Sequence, residues 1–201
     1  MRLAITGTSG VGKTFLETIL HEKYNFEQLP KYTNRPQRPD EIEGKGIYFI
    51  KDGSETTIAT NPEYFFHLEY MGFNYGWKKK DLEKQQNRDL TIAITLESMP
   101  RLLKLNLGFI PILLYIRPEN TNLLMQRLKN QLRYTDLVGQ DKVTADFTIS
   151  KRIKAAINET NRNQYYIRLV NKIGMSFEIK DDQTIIDEVI PYIKKRMLES
   201  T

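Results

Sequence analysis

The chain has 201 residues, 40% of them hydrophobic, with 30 Lys and Arg against 25 Asp and Glu and a net charge of +5. That length supports one substantial core, the lack of cysteine excludes disulfides and thiolate metal sites, and the mild basic excess suits a phosphorylated small molecule as readily as a nucleic acid polymer. With no apolar signal segment after Met1 and no run of about 18 apolar residues, the sequence predicts a cytoplasmic chain with no membrane span.

Apolar runs alternate with helical patterns. Arg2 to Thr6 reads as a buried strand and Lys13 to Tyr24 as a helix, with GTSGVGKT between them. A polar segment from Pro30 to Trp77 follows, then a helix from Lys78 to Asn87 and a strand from Leu90 to Thr95. Ser98 to Leu105 reads as a helix and Phe109 to Ile116 as a strand, with Pro111 near its start, where a missing N–H costs least. Glu119 to Asn130 reads as another helix, Gln131 to Phe147 as a second polar interruption, and Thr148 to Asn171 as a long helix ended by Gly174. A strand from Ser176 to Ile179 and a helix from Gln183 to Met197, capped by Asp182, complete the pattern, with Pro191 predicting a kink or early break. Short apolar strands separated by helices predict an α/β fold with a parallel sheet and helices on both faces. Two polar insertions on such a core fit an enzyme that closes around its ligand.

Gly7 to Thr14 match G-x-x-x-x-G-K-[ST] in the strand-to-helix context the motif requires. Glycines let backbone N–H groups close around phosphate oxygens, the helix presents its positive end, Lys13 can reach β- and γ-phosphates, and the Thr14 hydroxyl can ligate Mg²⁺. Gly7, Thr8, Ser9, Gly10, Val11, Gly12, Lys13 and Thr14 are therefore the candidate ATP-binding residues. GTPases, ATPases and kinases all use this cradle. The sequence has no guanine-reading N/T-K-x-D, which disfavours a switch GTPase.

Beyond the cradle, Arg35 and Arg38 lie in KYTNRPQRPDEIEGKGIYF, where Pro36 and Pro39 disfavour helix. Two guanidinium forks on an extended segment suit bidentate capture of a phosphate, and a solvated basic loop is the plainer alternative.

GTSGVGKT, YTNRPQRPDEIEGKGIYF, FNYGW and TISKRIKAAINET fall in the order and near the spacing of the guanylate kinase family, which the whole chain resembles. The resemblance implies a single P-loop NTPase three-layer sandwich with a parallel core of residues 1–29, 88–130 and 148–201. A small acceptor-binding subdomain would span 30–87 and a lid 131–147. It implies ATP and Mg²⁺ as cofactors, a small-molecule phosphate acceptor as partner, and a monomer or homodimer. Arg35 and Arg38 would bind the acceptor phosphate, helped by Tyr48 and Tyr75. Arg127 would start the lid motif, Arg152 would reach the transferred phosphoryl group with Lys13, and Glu159 matches an acid farther along that helix.

The resemblance breaks where the family reads guanine. The family's serine before the arginines is Tyr32, its glutamate aligns to Phe66 with Glu69 three residues on, and the residue after Y-G is Trp77. Direct counting places Ile47 where an acceptor-side tyrosine belongs, beside Tyr48, and Gln131 replaces the second lid arginine, with Arg133 nearby. The family's D-x-D reads T-L-E, making Glu97, with Thr95, the candidate to orient the metal's water or the acceptor. Loss of polar partners costs base selectivity, so these replacements predict a poor response to GMP. Kinases of another nucleotide or a ribose phosphate, and a non-catalytic protein-binding module, stand as alternatives.

Overall fold

The first strand, β1 (Arg2–Gly7), is the centre of a parallel sheet, and Leu3, Ala4 and Ile5 on it are at most 1% exposed. A run apolar on both faces is what a strand covered on both sides requires. The computed structural model describes residues 1–38, 41–50, 55–132 and 134–199. From β1 the chain enters α1 (Lys13–Tyr24) and a two-residue strand, β2 (Glu27–Gln28). It then leaves the main sheet for β3 (Lys31–Thr33), β4 (Ile47–Phe49), α2 (Glu55–Thr60), β5 (Tyr64–Tyr70) and β6 (Phe73–Lys78). After α3 (Lys79–Lys84) it returns through β7 (Leu90–Ile94), α4 (Met99–Leu103) and β8 (Phe109–Tyr115). The last elements are α5 (Thr121–Gln131), α6 (Gly139–Val170), β9 (Met175–Glu178), α7 (Asp182–Thr184), a π-helical turn over Ile185–Val189 and α8 (Ile190–Glu199).

The main sheet has the order β2-β7-β1-β8-β9, all parallel, and the smaller one runs β4-β3-β6-β5. On one face of the main sheet Leu3, Ile5, Ile112 and Leu114 pack against Leu16 and Leu20 of α1, Leu124 and Leu128 of α5, and Ile193 of α8. On the other, Ala4, Leu90 and Ile92 meet Met99 and Leu102 of α4 together with Phe66, Leu68 and Trp77 of the small sheet. The second contact sets one face of the small sheet beside the β1–α1 turn.

Several elements differ from the sequence reading. Pro30 to Trp77 is not only a polar excursion: YFFHLEY and FNYGWK pair as an antiparallel hairpin. Met71 and Gly72, both at left-handed φ (57° and 81°), form its turn. The long helix starts at Gly139, nine residues before Thr148, because nothing after Gly139 breaks helical geometry although most of its first turns face solvent. Asp181, not Asp182, caps the last helical run, its Oδ1 accepting from the Thr184 N–H at 2.7 Å. Pro191 does not end that run, and a π-helical turn stands just before it. Among the described residues no helix is long and apolar enough to cross a membrane.

Leu16 is fully buried between α1 and the sheet. Leu16→Ala is expected to lower the unfolding free energy by about 2–5 kcal/mol through lost burial and an unfilled cavity, measured by urea denaturation.

Candidate active site

The turn between β1 and α1 depends on glycine at three points. Gly7, Gly10 and Gly12 have φ of 143°, 82° and 112°, values L side chains rarely adopt. A Cβ on Gly7 would lie 2.0 Å from the Leu114 carbonyl oxygen, and one on Gly10 2.7 Å from Leu124 Cδ1. The backbone thus curls tightly onto the start of α1, whose orphan N–H groups and dipole favour an anion. Lys13 Nζ donates to Gly7 O at 2.6 Å and Thr8 O at 2.8 Å, folding its ammonium back over this loop. Arg127 on α5 donates to Val11 O at 2.9 Å and Gly10 O at 3.2 Å and pairs with Asp182. That bracing ties the loop to two neighbouring helices.

The arginine segment faces the same opening. Arg35 is 7% exposed, makes a bidentate pair with Glu41, with Nη1 to Oε2 at 2.7 Å, and lies over the Phe49 ring at 5.5 Å. The Arg38 N–H donates to the same Oε2 at 3.0 Å, and Arg38 Nη1 sits 3.8 Å from Oε1. One carboxylate therefore fixes both guanidinium groups. Burial works to raise the Glu41 pKa, but hydrogen bonds from Arg35 and the Arg38 backbone, and both positive charges, hold it below the usual carboxylate value. Arg152 of α6 is 8% exposed. Burial pushes its pKa down, and the charges of Arg38 and Arg35 add to that effect.

The loop and the arginines open onto one cavity of about 540 Å³. Gly7, Ser9, Gly10, Gly12, Lys13 and Thr14 line one end, and Arg127 stands beside them. Arg35, Arg38, Glu41, Tyr70, Tyr75 and Trp77 line the other. Thr95 closes the wall between them, its Oγ1 2.7 Å from Ser98 Oγ. Such a volume holds a ligand of nucleotide size. Thr8 and Val11 are buried beneath the loop, at 2% and 0% exposure, rather than on the wall.

Strand parity decides the rest. Alternate side chains point to opposite faces, so Lys31 and Tyr75 reach the cavity while Tyr32 lies on the outer face. There it donates to Asp81 at 3.0 Å, stacks on Tyr48 with centroids 5.0 Å apart, and lies 4.8 Å beneath Lys78 Nζ. Burial and the Asp81 hydrogen bond push the Tyr32 phenol well above its ordinary value, keeping it a donor. Tyr48 is 37% exposed on that same outer face. Phe66 is 3% exposed in the core against Trp77, with centroids 5.8 Å apart, and it does not line the cavity. Glu69 is exposed beside Asn74 on the hairpin, and Glu97 is exposed in the turn after β7, so neither carboxylate lies on the wall. Arg133 lies outside the described residues, as do the side chains of Gln131 and Glu159.

Among the charged wall residues, sequence reasoning missed three: Glu17, Lys31 and Glu41. Glu17 stands one helical turn after Lys13, an acid on the inner face beside Leu16 and Leu20, and it is 9% exposed. An acid at a core position of an amphipathic pattern was the available signal.

This geometry agrees with comparisons to known proteins. A family model described as guanylate kinase matches residues 1–173. The chain belongs to the guanylate kinase family. The guanylate kinase of Buchnera aphidicola subsp. Schizaphis graminum is 31% identical over 90% of this chain and 84% of its own. That of Trichodesmium erythraeum is 26% identical over 96% and 97%. The crystal structure of guanylate kinase from Anaplasma phagocytophilum superimposes with a TM-score of 0.62 at 18% identity, covering 98% of this chain and 85% of its own, so it shares the P-loop NTPase fold.

The Glu41 pairing fixes a pH dependence. A carboxyl held below its unfolded value contributes stability that is present above that value and lost as pH falls through the folded pKa. Thermal melting from about pH 6 to about pH 3 is expected to show less acid loss of Tm in Glu41→Gln than in the wild type, with a lower Tm at about pH 6.

Proposed function

We propose that this member of the guanylate kinase family transfers the γ-phosphoryl group of ATP to a nucleoside monophosphate, with GMP as the acceptor; the family match and the guanylate kinase relatives support GMP against the poor response that Tyr32, Phe66 and Trp77 predict. The observation that carries the reading is the glycine cradle with Lys13 facing Arg35 and Arg38 across one cavity. An acceptor phosphate oxygen would attack the γ-phosphorus while the bond to the β,γ-bridging oxygen breaks, giving ADP and a nucleoside diphosphate. Because that acceptor oxygen is already anionic, no strong base is required, and positioning and charge neutralisation supply the catalysis.

In this reading the backbone N–H groups of Gly7 to Thr14 bind the β- and γ-phosphates and Lys13 leaves its loop carbonyls for the γ-phosphate. Arg35 and Arg38 hold the acceptor phosphate, and Arg152 meets the transferred group. The tight cradle and the Thr14 hydroxyl at its end fit a Mg²⁺ ion brought with ATP, which Thr14 would help to hold. The ion would supply charge neutralisation between the phosphates. Among the described residues no cluster of three His, Cys, Asp or Glu offers a separate metal site. Residues 30–87 would form the acceptor-binding subdomain and 131–147 the lid, closing over the core and excluding water. Soluble nucleotide substrates support a cytoplasmic location.

Lys13→Met is expected to lower kcat by at least about 10³-fold with GMP and ATP, since it removes a charge at the transferring phosphate, while the melting temperature stays near that of the wild type. A coupled assay of ADP release tests this, and undiminished turnover would remove the kinase reading.

A further inference from the structure

Lys13 and Arg127 both rest on the cradle's own backbone, Lys13 on Gly7 O and Thr8 O, Arg127 on Gly10 O and Val11 O. Lys13 must leave its carbonyls to meet a γ-phosphate. Arg127 is held from two sides, because its Nη2 pairs with Asp182 while its Nη1 serves the loop. Its side chain is 16% exposed and that of Asp182 64%. The neighbouring carboxylate, Asp181, is engaged with Thr184, its Oδ1 accepting from the N–H at 2.7 Å and from the hydroxyl at 2.8 Å.

In a planar trans peptide the C=O and the following N–H point in opposite directions. A guanidinium that holds Gly10 O and Val11 O on its own side therefore fixes the Val11 and Gly12 N–H groups on the other. The Val11 N–H closes the turn onto Thr8 O at 3.3 Å. The Gly12 N–H belongs to the N-cap residue of α1, where an anion is favoured. Gly12 is also backed directly, since a Cβ there would lie 2.7 Å from Ile185 Cδ1 and 3.6 Å from Arg127 Nη1. Ile185 is fully buried and follows α7, which carries Asp182. One stretch of chain thus presses on the cradle through Ile185 and reaches it through Asp182 and Arg127.

An arginine fork is planar and rigid, so fixing Nη2 fixes the direction in which Nη1 donates. We propose that Asp182 is a positioning residue for ATP binding, holding Arg127 on the Gly10 and Val11 carbonyls so that the cradle's N–H groups stay set for phosphate oxygens. This rests on the reading that the cradle takes ATP. The charge of so exposed a carboxylate is largely screened, and Asp182 acts through the direction of the fork. A carboxylate that instead withheld Arg127 from the phosphates would have the opposite signature, with ATP bound more tightly once it is removed.

The test is calorimetric titration of ATP with Mg²⁺ into the wild type, Asp182→Asn, Asp182→Glu, Arg127→Gln and the double variant Arg127→Gln/Asp182→Asn, with KM for ATP and for GMP and the Tm of each. Asp182→Asn is expected to raise Kd and KM for ATP by about 5-fold, the upper range for an exposed ion pair, with KM for GMP and the Tm near those of the wild type. Asp182→Glu keeps the carboxylate and should recover most of that loss. Arg127→Gln should raise Kd for ATP by at least about 10-fold, and Asp182→Asn should add nothing in that background, because the two residues act as a unit. Unchanged or tighter ATP binding in Asp182→Asn, a loss shared equally by ATP and GMP, or a full further loss in the Arg127→Gln background overturns the positioning role and leaves the kinase reading standing. A wild type that binds no ATP overturns both.

Discussion

Lys13, Lys31, Arg35, Arg38 and Arg127 line one cavity, and among the described residues only Glu17 and Glu41 offset them there. Arg152 feels the charges of Arg35 and Arg38. Like charges held close in a partly buried site repel, and the fold must supply what keeps them together. Glu41 clamps two guanidinium groups, loop carbonyls hold the Lys13 ammonium, and Arg127 is tied to Asp182. These contacts offset part of the repulsion. The remainder is a standing preference for polyanions, which supports the proposed recognition of phosphate.

The scaffold keeps this arrangement by rigid means at one end and lighter ones at the other. The cradle rests on β1, the middle of a five-stranded parallel sheet, with the Leu114 carbonyl of β8 packed against Gly7. The arginine side rests on a separate four-stranded sheet joined to the core by Phe66, Leu68 and Trp77. Two bodies sharing an apolar contact can change their separation without unfolding either, which is what closure over two phosphorylated substrates demands.

Those parts of the site written as local chain chemistry were legible in the sequence. Gly7, Gly10 and Gly12 stand where only glycine fits, so their spacing identified the cradle before any coordinates. Arg35 and Arg38 were likewise legible, because prolines in their segment disfavour helix. Parity and tertiary approach were not legible. Tyr32 and Lys31 are adjacent, and only the pairing of β3 with β4 and β6 decides that the lysine enters the cavity while the tyrosine joins Tyr48 and Tyr64 outside. Glu17 reads as an ordinary helical acid until α1 is packed with that face inward. The early turns of α6 were hidden because their polar composition marked them as a loop, though no residue there opposes a helix.

The account's central claim is that the acceptor is held first by its phosphate. Calorimetric titration of GMP and of guanosine into the wild type and Arg38→Gln tests it most directly. GMP should bind the wild type at least about 100-fold more tightly than guanosine, as charge-assisted contacts to phosphate imply, and the gap should shrink in Arg38→Gln. Equal affinity of the wild type for GMP and guanosine would contradict the account.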